Sequence, residues 1–152
     1  MSDRDELVSL LQESRKELAS AIQGLPEDRM TVPLAGDWSV KDFMGHIASW
    51  DEFTVSDLKR IARGRLPCLA AFREAEVDSW NAFLIRPRKL FPLHQIRAEF
   101  EEARAEMVAA LKDLPEGLLA QGQMVRNIFV IMTNHEKDHA RQLREWRQAE
   151  GI

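Results

Sequence analysis

Apolar side chains in this chain recur three or four residues apart along one stretch after another, and each stretch stops at a glycine or a proline. That period belongs to the helix, since a strand would alternate every second residue. Residues 3 to 24 place Leu7, Leu10, Leu11, Leu18, Ala21 and Ile22 on one face before Gly24 and Pro26 end the pattern. In "DWSVKDF", Ser39 and Asp42 stand in the S-x-x-D relation of an N-cap and its N3 partner. They predict a second helix from Val40 to Arg63, ended by Gly64 and Pro67. A shorter helix is expected over Ala70 to Ile85, because Pro87 and Pro92 each remove an amide donor and crowd the preceding turn. Long helices over Leu93–Leu114 and Met124–Gln148 follow. There is no tyrosine, little alternation, and no Asn-Gly or Asp-Gly turn, so no sheet is expected. Four long helices and one short one predict an all-α four-helix bundle, a single domain over residues 1–152, with the extra short helix between its second and third long helices.

Composition narrows the function. At 152 residues, 45% apolar and 30% charged, the chain buries an ordinary core and lacks the signature of disorder. A net charge of −4 argues against nucleic acid or an anionic membrane as partner. The single cysteine, Cys68, excludes an internal disulfide and fits a reducing compartment. The opening "MSDRDELVSL" lacks the basic flank and apolar run of a signal peptide, and no apolar run nears the ~18 residues of a membrane helix. The expectation is a small cytoplasmic protein, with a homodimer left open.

The stretch "IFVIMTNHEKDHARQLREW" carries the chemistry. His135 and His139 are four apart, roughly 40° on the helical wheel, on the side that also holds Ile128, Ile131, Met132, Leu143 and Trp146. Two imidazoles on a core face need hydrogen-bond partners, or they converge on one metal ion. His46 sits at the edge of the apolar face of the second helix, beside Gly45, which would let another backbone come close. His94 falls in a first helical turn and reads as a surface residue. Three neutral imidazoles leave open positions on a divalent ion for water or substrate, so a metal-bound water stands in for the catalytic base that no side chain supplies.

Other residues have two readings each. Glu136 makes a literal H-E-x-x-H, "HEKDH", which in a zinc protease holds the general base. The continuation "ARQLREW" offers no third histidine, and the plainer reading of Glu136 and Asp138 is solvated flanks about 80° off the histidine face. Either could instead orient a ligand imidazole. Asp42, one turn before His46, reads as a helix cap or as that histidine's partner. Trp50, one turn after it, reads as a pocket wall or as core packing. Cys68 is expected to be a small buried hydrophobe. Residues 59 to 89 hold eight basic side chains against three acidic ones, either solvated helix ends or a mouth for an anionic substrate or thiol cofactor.

Two blocks also carry a family resemblance. "DWSVKDFMGHIASWDE" resembles the Trp-Ser opening and histidine-bearing second helix of the DinB/YfiT-like metalloenzyme family. "MTNHEKDHARQLREW" is similar to its His-x-x-x-His final helix, and the "LPE" helix ends also fit. Within the family the chain looks most like the ClbS/DfsB and DinB-superfamily branch. The resemblance implies a bundle whose second and last helices face each other across zinc or nickel, with His46, His135 and His139 at the matching positions and residues 64 to 92 as the crossing connection. It implies a metal-dependent hydrolase or thiol (S-)transferase acting on a small reactive or xenobiotic molecule, with a low-molecular-weight thiol as co-substrate. The alternative is a non-enzymatic binding protein whose metal is structural or absent. Relatives often have an aromatic residue after the first histidine of the pair; here it is Glu136.

Overall fold

The computed structural model describes all 152 residues. The fold is all-α, with helices α1 (Asp3–Ile22), α2 (Val40–Ala62), α3 (Val77–Ile85), α4 (Leu93–Lys112) and α5 (Met124–Glu150). These are the helices that periodicity predicts. None is long and apolar enough to cross a membrane.

Two expectations are corrected. A short antiparallel hairpin, β1 (Pro33–Ala35) with β2 (Trp38–Ser39), precedes α2 where no strand was expected. Ala35 pairs with Trp38 across Gly36 and Asp37, and Gly36 takes a φ of 59°, which a glycine adopts without steric cost. The short helix begins at Val77 rather than Ala70, after two 3₁₀ turns at Cys68–Ala71 and Glu74–Glu76. Asp57 imposes the first turn by accepting the amides of Cys68 (2.6 Å) and Leu69 (2.9 Å), and Phe72 then extends with ψ 138°.

The chain forms two compact units. In the first, residues 1–40 with 114–152, α1 starts on a capping box between Ser2 and Asp5 and buries Leu7, Leu11, Ser14, Leu18 and Ala21. Each such leucine removed from water contributes about 1.5–3 kcal/mol. This face packs on α5, whose buried stripe includes Phe129, Thr133, Glu136, Ala140 and Leu143. Arg147 donates to the carbonyls of Ala21 (2.9 Å) and Gln23 (2.7 Å), satisfying acceptors that the end of α1 leaves open. Arg126, only 4% exposed, reaches Asp3, Glu6 and the carbonyl of Leu119.

In the second unit, residues 41–113, the half of α2 from Asp42 to Asp51 is buried at every position. Polar groups there need partners. Asp51 takes a two-pronged bond from Arg104 of α4, at 2.9 and 3.1 Å. Arg88 fans out to Ser49, Glu52 and Glu99 at 2.7–2.9 Å, joining α2 to α4. Lys41 donates to the carbonyls of Lys89 and Phe91. What comes close at Gly45 is side chain, not backbone: a Cβ there would meet Ile85 Cδ1 at 3.0 Å and Arg88 Cδ at 3.4 Å.

Candidate metal centre

α5 places His135 and His139 one turn apart with Nε2 of each 2.9 Å from the other, the rings crossing at 76°. Nδ1 of His139 lies 3.0 Å from Oε1 of Gln142. An amide oxygen only accepts, so the imidazole proton belongs on that Nδ1 and the lone pair on Nε2. Gln142 thus favours the tautomer in which His139 turns the Nε2 lone pair towards His135, whose Nε2 then donates. Burial lowers the pKa of His135 from 6.5 to about 4, with the neighbouring His139 adding to the effect. Burial also lowers His139. Both rings are therefore neutral at pH 7, the form that binds a cation.

His46, on α2, is buried to 1%. Ring nitrogens of His46, His135 and His139 all lie within 4.8 Å of one another, so the three could hold a metal ion. Two nitrogens at ~2.1 Å from one ion stand at most about 4.2 Å apart, and the separation of the α5 pair falls well inside that reach. The donor set, three imidazoles, is consistent with a divalent metal.

The other expected residues fall out differently. Glu136 is not a solvated flank. It is 1% exposed and sits in the stripe that faces α1, where Ser14 Oγ donates to it at 2.8 Å and Arg15 Nε at 2.6 Å. The histidine pair lies roughly 100° round the helix from the centre of that stripe, so it flanks the buried face. Ile131, on the same side, is 61% exposed. With its carboxylate given to α1, Glu136 is a structural anchor and not the base of an H-E-x-x-H protease. Asp138 is the solvated flank that was expected, paired with Arg141 at 3.2 Å on the surface. His94 is exposed.

Asp42 and Trp50, one turn either side of His46, are both buried. The Trp50 indole donates to Asn81 Oδ1 at 2.8 Å, and its ring stands behind Phe53 and Phe72 at 5.6 and 5.9 Å. Cys68, expected inside, is exposed, because the bond from its amide to Asp57 holds its turn at the surface and buries Pro67 instead. Gln142, Ser14 and Arg15 were not picked out from sequence. A glutamine three residues beyond a histidine is a helical neighbour by spacing alone. The two α1 residues have no local signal at all.

No curated protein and no solved structure matches the chain. The model of the DinB superfamily matches residues 10–143, a span that holds His46, His135 and His139. A match over that much of the sequence, on a helical chain with this histidine trio, identifies the chain as a member of the DinB superfamily.

Proposed function

We infer that the protein is a divalent-metal enzyme, a hydrolase or S-transferase acting on a small reactive molecule, with His46, His135 and His139 as ligands to zinc or nickel. The observation that carries the reading is the facing pair of Nε2 atoms at 2.9 Å, one of them left with its lone pair by Gln142. A bound cation supplies Lewis acidity at its open positions, toward a water or a thiol sulfur. The chain's own part is to present three imidazoles and to keep those of His135 and His139 neutral by burial. Glu136 and Asp138 take no part in proton transfer in this reading, since one is bound to α1 and the other lies in solvent. The setting is the cytoplasm, with a low-molecular-weight thiol as co-substrate in the transferase case.

The test loads untagged protein with zinc or nickel and follows electrophilic esters and epoxides, with and without glutathione. Metal-dependent turnover supports the enzyme. Stoichiometric uptake of the compound without conversion overturns it in favour of a sequestering protein.

A further inference from the structure

One face of α2 runs from the candidate metal ligand into a cavity. His46, Trp50, Phe53, Asp57 and Arg60 recur at alternating spacings of four and three and so form one stripe. Phe53 lies two turns beyond His46, ~10 Å along the axis. There the structure opens into a cavity of about 690 Å³ lined by Phe53, Arg60, Pro67, Cys68, Phe72 and Trp80, among others. That volume falls in the range of about 300–1,000 Å³ typical of small-molecule sites.

The cavity is a built structure. Its rings meet edge to face, Phe53 with Phe72 at 5.5 Å and Phe72 with Trp80 at 5.1 Å. Asp57, 1% exposed, ties the far wall to α2 through the amides of Cys68 and Leu69. Arg60 Nε donates to the carbonyl of Leu66 at 2.9 Å, which pins the guanidinium in the wall and leaves its two terminal nitrogens for an acceptor. The acidic residue of the lining, Glu76, caps the amide of Arg73 at 3.2 Å. The segment around the cavity, residues 59 to 89, carries an excess of five positive charges in a chain of net charge −4.

We propose that this cavity binds a small anion with an apolar, ring-bearing body, the rings against Phe53, Phe72 and Trp80 and the acidic group on Arg60. That this anion is the substrate rests on the metal-centre reading, through the face of α2 shared with His46. Binding itself does not depend on it.

The probe is 8-anilinonaphthalene-1-sulfonate, with the uncharged N-phenyl-1-naphthylamine as its control. The sulfonate binds saturably at one molecule per chain, and slows alkylation of Cys68, the one cysteine, by iodoacetamide. Arg60→Gln weakens the sulfonate about tenfold or more, the scale of a lost charge-assisted hydrogen bond, and leaves the neutral dye unchanged. Trp80→Ala weakens both. Absence of saturable binding, an unprotected Cys68, or Arg60→Gln with unchanged sulfonate affinity overturns the proposal. Repeating the titration on chelator-treated parent protein, before and after zinc or nickel is added back, separates the two readings. Dye binding retained while no metal is taken up sinks the metal centre alone. Metal retained while the dye fails to bind sinks the cavity alone.

Discussion

Gln142 Oε1 lies 3.0 Å from Nδ1 of His139, on the side of the ring opposite the nitrogen that faces His135. A residue that fixes a tautomer in this way would act on a bound metal without touching it. Replacing Gln142 by Leu removes the acceptor, and is expected to weaken metal binding by about 10- to 100-fold with the helix content unchanged. Asp138→Asn, on the exposed side of the same helix, is expected to leave affinity within about twofold, because a solvated pair contributes little. Competition against a chromophoric chelator measures both. Equal affinities for Gln142→Leu and the parent protein would remove Gln142 from the site.

Glu136 is held by Ser14 and Arg15 of α1, so its loss is a loss of packing between α1 and α5. Arg15→Ala leaves the carboxylate buried without its counter-charge and should cost about 3–5 kcal/mol in urea unfolding. Glu136→Gln keeps the shape and the bond from Ser14, and should lose stability while keeping metal content. Had the H-E-x-x-H reading been right, Glu136→Gln would keep its stability and lose hydrolysis instead.

How much of this was legible in the residues can be argued from α5 itself. Its existence and ends followed from apolar periodicity, and the pairing of His135 with His139 from their spacing. Its orientation did not. The buried stripe contains Thr133 and Glu136, polar residues that apolar periodicity assigns to solvent. The burial of Glu136 is compensated by Ser14 and Arg15, 122 and 121 positions away, while Thr133 donates to the carbonyl of Val130 in its own helix. The wheel therefore put the histidines near the centre of the core face when they stand at its flank. The misplaced start of α3 and the exposed Cys68 have a similar origin in Asp57, whose carboxylate organises a turn eleven residues downstream. The hairpin was readable: Gly36-Asp37 is itself a two-residue turn signal, as much as Asn-Gly or Asp-Gly.

Acid should destabilise the metal-free protein through the same rings. Burial holds His135 at about 4 and His139 below 6.5. Between about pH 4 and 6.5 the unfolded chain therefore binds more protons than the folded one, and unfolding free energy rises with pH across that window. The contribution is complete above about pH 6.5 and is lost as the pH falls towards about 4. Urea midpoints of chelator-treated protein should fall over this window, and His135→Gln should flatten the slope. A slope unaltered by that substitution would count against a buried neutral His135.

Thr54 of α2 is fully buried, and its hydroxyl has no hydrogen-bond partner. Valine has nearly the same shape without the unsatisfied group. Thr54→Val is expected to raise stability by about 1 kcal/mol, read from the urea midpoint at constant slope. A loss of stability would place an acceptor or an ordered water on that hydroxyl.

The most direct test of the metal centre is elemental analysis of protein purified without a histidine tag or added metal, alongside His46→Ala, His135→Ala and His139→Ala. The account predicts close to one zinc or nickel per chain in the parent protein and a sharp loss in each variant. Undiminished metal in His46→Ala would contradict the three-histidine site.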